Sequence, residues 1–359
     1  MQPKIRVLLV DDSAVIRTML QKILSSDPEI EVVGTAPDPY VGRDKLVTLK
    51  PDVMILDIEM PKMDGITFLT KVMEHFPTRT IIFSSLSLER SEVALKCLEV
   101  GAIDTMAKPA IDVTKGVMEF KDELIAKVKM VAKSKLPTKK PASSLQSLVA
   151  KNVVKTPPQS GALLKTTHQI LAIASSTGGT EALKVLLAGL PADIPGTVIV
   201  QHMPAVFTKT YAQHLNTMFP FEVKEAEDGD KVLPGRVLIA PGDYHMEIVR
   251  SGGYYNVKLH QQPALHGVRP AADYLLRSVA HYAGSNAVGV VLTGMGKDGA
   301  QGLAEMRKAG SFNIAQNEET CVVYGMPKVA VEYGAIDKVL PLDRISEEIL
   351  KQMDVRKVA

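Results

Sequence analysis

Apolar runs and amphipathic stretches alternate through the first 131 residues of the chain. The apolar runs predict β-strands at residues 5–10, 31–35, 53–56, 80–84 and 102–106. The amphipathic stretches predict helices at residues 14–24, 40–49, 66–75, 92–100 and 114–131. Continuous apolar strands separated by helices form a parallel sheet that is covered on both faces. We therefore expect residues 1–131 to form a doubly wound α/β domain.

The same alternation returns, with longer elements, in residues 168–359. Strands are predicted at 169–174, 197–201, 237–239 and 287–292, and helices at 180–190, 208–218, 271–283 and 300–309. Residues 247–259 predict a hairpin that turns at Ser251-Gly252-Gly253. This pattern indicates a second doubly wound, Rossmann-like α/β domain with a parallel sheet.

Charge and proline content separate the two domains. Between Glu123 and Glu181 the chain has no acidic residue and accumulates lysines, and prolines are spread through residues 134–167 among Ser, Thr and Gly. Such a composition predicts a basic flexible linker over residues 132–167. An arm that contacts nucleic acid or a membrane is the alternative. A solvated tether is favoured because no aromatic residues are interleaved with the lysines.

The composition of the 359-residue chain narrows the function classes. Its 42 basic and 40 acidic residues leave a formal net charge of +2, which gives no general attraction to nucleic acid or anionic membranes. Cys97 and Cys321 lie far apart and lack metal-binding spacing, so neither a disulfide framework nor a zinc site is predicted. We find no signal peptide and no apolar run long enough to span a bilayer. A cytoplasmic protein that is not embedded in a membrane is expected.

Acidic, hydroxyl and lysine side chains follow four of the predicted strands in the first domain. They are Asp11-Asp12, Asp57, Ser84-Ser85 and Lys108-Pro109. Because ligands of open parallel sheets bind at the carboxyl ends of the strands, these groups are expected to converge. Converging carboxylates repel one another unless a divalent cation, most plausibly Mg²⁺, lies among them. Helix capping explains any one of these residues but not all of them together.

These residues lie in segments that resemble the receiver domains of two-component systems. The segments are VDDS at 10–13, LDIEMPKMDG at 56–65, SS at 84–85 and KP at 108–109. The resemblance implies a flavodoxin-like fold, Asp57 as the phosphoacceptor and a histidine kinase as the phosphodonor. It also implies that Asp11 and Asp12 hold Mg²⁺ together with Asp57. Ser84 is then the switch hydroxyl, and Lys108 contacts the phosphoryl group.

In the second domain, the predicted strand at 169–174 runs into a turn of small residues and then a predicted helix. This layout is typical of a nucleophile elbow, in which a hydroxyl, here that of Ser176, is exposed beside helix N-terminal amides. Plain turn chemistry or a phosphate cradle is the alternative. His202 and Asp298 follow two further predicted strands, so a serine–histidine–aspartate triad is predicted. The histidines that compete with His202 are His245, His260 and His266.

Asp298 lies within a second glycine-rich pattern. Residues 294–299 form a complete GxGxxG, and Glu318-Glu319 stand at roughly the distance expected of a ribose-binding carboxylate. An NAD-linked oxidoreductase is therefore one alternative function, although it has no use for Ser176 or His202. A DNA-binding response regulator is another, but the second domain is too long and strand-rich for a simple helix-turn-helix.

Five segments of the second domain resemble the catalytic domain of the CheB family of chemotaxis protein-glutamate methylesterases. They are IASSTGGTEAL, VIVQHMP, IAPGDYHM, VVLTGMGKDGAQGL and IAQNEETCVVYGMP. The resemblance implies that Ser176, His202 and Asp298 form the catalytic triad. It also implies that the amides of Thr177 and Met295 form the oxyanion hole.

One position departs from the family pattern. The family usually has Gly-Ala before the serine, where this chain has Ala174-Ser175 and therefore a second hydroxyl beside Ser176. The Ser-Thr-Gly-Gly register still selects Ser176 as the nucleophile.

The resemblance also implies the substrates and partners. The substrates are glutamyl methyl esters and certain glutamines on the cytoplasmic helices of chemoreceptors, and the esterase needs no cofactor. Nucleic acid is not an expected partner. The domain order suggests a switch, in which the unphosphorylated receiver packs over the Ser176 cleft and phosphate on Asp57 favours an open form.

Overall fold

The computed structural model describes residues 3–85, 87–109, 116–136 and 169–358. The chain divides into two compact units, Met1–Thr138 and Lys139–Ala359, each of which we describe by itself. Most of the predicted linker, residues 132–167, lies outside the described residues. The domain bounds 1–131, 132–167 and 168–359 therefore stay predictions.

The N-terminal unit is a five-stranded parallel sheet with the strand order β2-β1-β3-β4-β5. Its elements are β1 (Ile5–Val10), α1 (Ala14–Leu24), β2 (Ile30–Ala36), α2 (Pro39–Leu49), β3 (Val53–Asp57), α3 (Gly65–His75), β4 (Arg79–Ser84), α4 (Leu88–Val100), β5 (Asp104–Ala107) and α5 (Gly116–Lys133). Every predicted strand and helix of this unit is present, with ends that differ by up to four residues. The predicted doubly wound α/β fold is confirmed.

Short polar side chains determine where the helices of this unit begin. The Asp38 carboxylate accepts hydrogen bonds from two amides at the start of α2, and Asp64 accepts one from the Thr67 amide in α3. Ser13 and Ser87 cap α1 and α4 in the same way. These bonds satisfy amides that have no partner within the helix. Each of these four helices therefore begins directly after its capping residue.

The C-terminal unit contains a seven-stranded parallel sheet with the order β14-β13-β12-β6-β7-β9-β8, and a separate hairpin of β10 and β11. Its strands are β6 (Ile170–Ser175), β7 (Gly196–Gln201), β8 (Glu222–Glu225), β9 (Arg236–Ile239), β10 (His245–Ser251), β11 (Tyr254–His260), β12 (Ala287–Val291), β13 (Phe312–Gln316) and β14 (Lys338–Leu340). Its α-helices are α6 (Gly179–Ala188), α7 (Phe207–Met218), α8 (Ala272–Tyr282), α9 (Ala300–Lys308), α10 (Met326–Glu332) and α11 (Leu342–Val358). The predicted second parallel-sheet domain and its hairpin are confirmed.

Five elements of this unit were not predicted. They are β8, β13, β14, α10 and α11. β8 and β14 are short edge strands with few buried residues, so they carry little apolar pattern. α11 does carry a usable signal, because Leu342, Ile345, Ile349 and Met353 recur at helical spacing and the last three are buried.

The strand order places β6 at the centre of this sheet, between β12 and β7. All three strands are parallel, so their carboxyl ends meet at one edge. The core beneath this edge is formed by buried residues of all three strands, including Ile173, Val200 and Val291. The loops that follow these strands are therefore held close together.

No helix among the described residues is long and apolar enough to cross a membrane.

Burial predicts a difference between two leucines of the N-terminal unit. Leu8 is 0% exposed and Leu88 is 56% exposed. Leu8→Ala should lower the free energy of unfolding by about 2–5 kcal/mol, because it leaves a cavity between packed side chains. Leu88→Ala should change it by no more than about 0.5 kcal/mol. Urea titration followed by far-UV circular dichroism measures both, and equal losses would contradict the burial difference.

Candidate functional sites

An acidic pocket lies at the carboxyl edge of the N-terminal sheet. Asp11 and Asp12 follow β1, and Asp57 ends β3. Carboxylate oxygens of these three residues lie within 4.8 Å of one another. Asp11 and Asp57 are buried, whereas Asp12 is exposed. The convergence predicted from the sequence is present, and the exposed member leaves the pocket open to solvent.

Lys108 supplies the compensating charge in this pocket. Its Nζ lies 2.7 Å from Asp57 Oδ2 and 2.9 Å from Asp11 Oδ2. Burial alone would lower the pKa of Lys108, but its contacts with Asp57 and Asp11 raise it above the ordinary value. Burial raises the pKa of Asp57 to about 6, with a further contribution from the charge of Asp11 and against the influence of Lys108. At neutral pH Asp57 is therefore mainly ionised beside a cationic lysine.

The donor set of the pocket fits a divalent cation. Asp11 Oδ2 is buried and lies at an ion-pair distance from Lys108, but it accepts no hydrogen bond of good geometry within the part of the chain that the structure describes. Oxygen atoms with unfilled coordination are suited to Mg²⁺. Arg17 holds the loop after β1 in place by donating to the backbone carbonyls of Asp11 and Asp12. Asp11, Asp12 and Asp57 are the residues that would hold such an ion.

Ser84, at the end of β4, lies beside this pocket on the strand next to that of Asp57. Its hydroxyl donates to the carbonyl oxygen of Ser85 at 3.2 Å. Lys108 is held by the same strand end, because its amide donates to the Ser84 carbonyl at 2.8 Å. The hydroxyl and the lysine predicted from the sequence thus share one corner of the sheet edge with Asp57.

Ser176 lies in a tight turn between β6 and α6. The turn is closed by a hydrogen bond of 2.7 Å from the Gly179 amide to the Ser176 carbonyl, and the Ser176 amide donates to the Thr293 carbonyl at 3.1 Å. Strand, short turn and helix follow one another directly, which is the layout predicted for a nucleophile elbow. Ser176 is half-buried, so its side chain remains accessible.

The neighbouring Ser175 has a different environment. It is fully buried, and its hydroxyl donates to Gln201 Oε1 at 2.7 Å. Gln201 Nε2 donates in turn to the carbonyl oxygens of Ser176 at 3.0 Å and His202 at 3.3 Å. The Ser175 hydroxyl therefore has a structural role, because its hydrogen bond holds Gln201 in place. Gln201, for which the sequence predicted no role, links the serine turn to His202.

His202 directly follows β7, the strand that pairs with β6. Its amide donates to the Ser175 carbonyl at 3.1 Å, and its Nε2 donates to Asp298 Oδ2 at 2.8 Å. Because Nε2 is engaged by the carboxylate, Nδ1 is the ring nitrogen left to exchange a proton with another group. In the described part of the chain, the competing histidines His245, His260 and His266 form hydrogen bonds with Pro263, Gln262 and Asp273 and none with Ser176 or His202.

Asp298 is buried in the loop between β12 and α9. Its oxygens accept hydrogen bonds from the amides of Ala272 at 2.6 Å, Asp273 at 2.9 Å and Gly299 at 2.9 Å, besides the bond from His202. Burial alone would raise the pKa of Asp298, but the bonds from His202 and from the backbone amides lower it below the ordinary value. Asp298 therefore stays ionised and fixes the His202 ring.

The loop that carries Asp298 is packed tightly against the serine turn. A side chain at Gly294 would bring a Cβ within 2.7 Å of Ser176 Cβ, so only glycine permits this approach. Thr293 Oγ1 donates to the Thr177 carbonyl at 2.9 Å and joins the two loops. Met295, the other residue predicted to contribute an oxyanion-hole amide, is 37% exposed and follows Gly294 directly. Thr293 was missed at the sequence level because a threonine after a strand has no distinctive pattern.

Known proteins match both units. The sequence matches the family described as CheB methylesterase over residues 171–349, and the response regulator receiver domain over residues 7–115. It is 64% identical over 100% of both chains to a protein of Bdellovibrio bacteriovorus named protein-glutamate methylesterase/protein-glutamine glutaminase. A protein of Sulfurimonas denitrificans with the same name is 51% identical over 98% of this chain and 99% of its own.

A solved structure gives a consistent comparison. The crystal structure of the Thermotoga maritima CheB methylesterase catalytic domain is similar with a TM-score of 0.51 and 42% sequence identity. The match covers 53% of this chain and 100% of that one.

The raised pKa of Asp57 predicts how stability depends on pH. The folded-state pKa is about 6, against 3.8 for the ordinary group, so the folded protein keeps the Asp57 proton to higher pH than the unfolded chain, and stability falls as the pH rises from about 4 to about 6. Asp57→Asn should therefore raise the free energy of unfolding by about 2–3 kcal/mol at pH 8 and by much less at pH 4. Urea titrations at both pH values measure this change.

The control is Glu92→Gln, which removes an exposed carboxylate on α4 and should change stability little at either pH. A gain for Asp57→Asn that is the same at pH 4 and pH 8 would contradict the buried charge as its cause.

Proposed function

Since this chain belongs to the CheB methylesterase family and carries a receiver domain, we propose that it hydrolyses glutamyl methyl esters of chemoreceptors to glutamate and methanol. The same site hydrolyses receptor glutamine side chains to glutamate and ammonia, as the name of its relatives describes. The observation that carries the proposal is the arrangement of Ser176, His202 and Asp298 on the loops after three adjacent strands. Within it, His202 and Asp298 are hydrogen-bonded at 2.8 Å.

The first half of the reaction forms an acyl-enzyme. Ser176 Oγ attacks the carbonyl carbon of the ester or amide, and His202 Nδ1 takes the hydroxyl proton. Asp298 stabilises the resulting imidazolium, with which it shares the Nε2–H hydrogen bond. The same proton then passes from His202 to the leaving methoxide or amide nitrogen, which departs as methanol or ammonia.

The negative charge on the tetrahedral oxygen needs donors that are already in place. Thr177 follows the nucleophile at the start of the turn into α6, and Met295 follows Gly294, which is packed against Ser176. We assign the oxyanion hole to the amides of Thr177 and Met295. A donor of this kind contributes about 100- to 1000-fold to turnover.

The second half of the reaction is common to both substrates. The leaving group has gone, so ester and amide give the same glutamyl acyl-enzyme. Water loses a proton to His202 as it attacks this acyl-enzyme, Ser176 regains its proton, and a free glutamate is released. One site therefore serves both reactions with no group beyond these side chains and amides.

The receiver unit regulates this activity by phosphorylation. Asp57 accepts a phosphoryl group from a histidine kinase. Asp11, Asp12 and Asp57 would hold a Mg²⁺ ion, which would neutralise phosphoryl charge when bound. Lys108 Nζ, which lies 2.7 Å from Asp57 Oδ2, contacts the phosphoryl oxygens, and the Ser84 hydroxyl turns toward them. Phosphorylation then raises the rate of hydrolysis at Ser176. The enzyme acts at the cytoplasmic face of the membrane, where its receptor substrates carry their methyl esters.

The proposed triad predicts how far three substitutions lower turnover. Ser176→Ala and His202→Ala should lower turnover by several orders of magnitude, and Asp298→Asn by about ten-thousandfold, because the imidazole loses its orientation and its counter-charge. Methanol release from methylated receptor membranes measures turnover. Ser175→Ala is the matched control and should lose no more than about tenfold, since it removes one structural hydrogen bond. An inactive Ser175→Ala together with an active Ser176→Ala would reassign the nucleophile.

Regulation is tested with a small-molecule phosphodonor. In the presence of Mg²⁺, the donor should raise methanol release by the wild-type protein and leave the rate of Asp57→Asn unchanged, because no acceptor carboxylate remains. Removal of the metal with EDTA should abolish the rise. Equal stimulation of both proteins would contradict Asp57 as the phosphoacceptor.

A further inference from the structure

A second imidazole–carboxylate pair lies beside the first. His266 Nε2 and Asp273 Oδ2 are 2.8 Å apart. The Asp273 side chain is 0% exposed and that of His266 is 17% exposed. His266 has a left-handed backbone with φ of 57° and is followed by Gly267 at 78°, so a tight turn presents the ring to the buried carboxylate. The proposed mechanism above makes no use of either residue.

Asp273 is connected directly to the carboxylate that orients His202. Its amide donates to Asp298 Oδ1 at 2.9 Å. A ring nitrogen of His266 and carboxylate oxygens of Asp273 and Asp298 lie within 4.8 Å of one another. The two carboxylates and the two imidazoles therefore form one continuous group at the N-terminal end of α8.

The position of Asp273 is fixed by the packing of α9 on α8. The Gly302 amide donates to Asp273 Oδ1 at 2.8 Å. A Cβ at Gly302 would lie 2.5 Å from Leu276 Cβ, so the absence of a side chain lets the two helices approach closely enough for this bond. Both oxygens of Asp273 thus have donors, one from α9 and one from His266.

Charge gives this arrangement a consequence for catalysis. Two buried carboxylates this close repel each other, and their negative charge favours the protonated form of ionisable groups nearby. A protonated His266 would cancel the charge of Asp273 and leave Asp298 as the carboxylate whose charge faces His202. Without that cation, His202 would face two negative charges and would hold its proton more strongly.

We propose that Asp273 and His266 are positioning residues that act on His202 through Asp298. They form a buried pair of net zero charge that sets the pH above which His202 serves as a base. The proposal rests on the function proposed above, in which neutral His202 deprotonates Ser176.

The other ionisable groups around this pair are already compensated or exposed. On the His266 loop, Arg269 is paired with Asp243 at 2.5 Å. On α8 and α9, Arg277 is paired with Glu305 at 3.2 Å. Lys297, beside Asp298, is exposed. These groups leave His266 as the partner whose charge opposes that of Asp273.

His245, on β10, is a further ionisable group near the start of α8. Its Nδ1 accepts from the Ala271 amide at 3.1 Å, and burial lowers its pKa, with a smaller contribution from His260. It is therefore neutral where it meets α8 and does not compensate Asp273.

The test is the pH dependence of kcat/KM for methanol release by the full-length protein. All proteins carry Asp57→Asn, so that titration of the Asp57 carboxylate, whose pKa is about 6, does not contribute to the profile. The Asp57→Asn protein is the parent, and the acid limb is the part of its profile in which kcat/KM rises with pH. His266→Gln keeps a donor for Asp273 but loses the charge, so the acid limb should move to higher pH by at least about half a unit. Adding Asp273→Asn restores net zero charge and should return the acid limb to its position in the parent.

Two further variants make the result decisive. His266→Lys keeps a cation and should leave the acid limb at its position in the parent. This variant tests the same charge compensation if the double variant does not fold. His260→Gln, a half-buried histidine of the hairpin, is the matched control and should not move the limb. Two results would make the pair structural only and the proposal wrong. The first is a His266→Gln variant with a lower kcat and an unshifted pH profile. The second is that neither the double variant nor His266→Lys has the pH profile of the Asp57→Asn protein. A wild-type protein that releases no methanol even with Mg²⁺ and the phosphodonor would overturn the proposed function as well.

Discussion

The C-terminal unit depends on the burial of one negative charge, the carboxylate of Asp298. A buried carboxylate is tolerated only when donors replace the water that it has lost. Asp298 has four: the amides of Ala272 and Asp273 in the first turn of α8, the amide of Gly299, and His202. The positive end of the α8 dipole adds to their effect. To reach these donors, the loop after β12 must lie over the serine turn, and that same path packs Gly294 against Ser176.

The sequence predicted the two sheets well because parallel strands buried on both faces leave long apolar runs, as in β1, β6 and β12. It predicted less where burial is partial. β8 has a single buried residue and β14 has none, so their formation depends on neighbours already in the sheet and not on their own pattern. α11 is the opposite case: it was not predicted, although its apolar residues recur at helical spacing and the pattern would have supported a helix.

The site was predictable to the extent that it lies at strand ends. Asp57, Ser176 and His202 end or directly follow strands, so the topology rule alone brought them to their sheet edges. Gln201 and Asp273 were out of reach for a different reason. The role of each comes from hydrogen bonds between elements distant in sequence: Gln201 joins two loops, and Asp273 joins α8 to α9 and to His266. Only packing reveals such bonds.

Both units place carboxylates at the carboxyl edge of a parallel sheet, yet they satisfy those charges by different means. In the N-terminal unit, Asp11 and Asp57 have one lysine between them and an oxygen atom without a hydrogen-bond donor among the described residues, which suits the proposed role of Asp57 as a phosphoacceptor. In the C-terminal unit, the oxygens of Asp298 are filled by N–H donors. The GxGxxG sequence has other contacts in this structure: its aspartate accepts from the first amides of α8, and the absence of a side chain at Gly294 lets the loop lie close to Ser176. How a buried carboxylate is satisfied, more than the sequence pattern around it, distinguishes the proposed phosphoacceptor from the proposed orienting member of the triad.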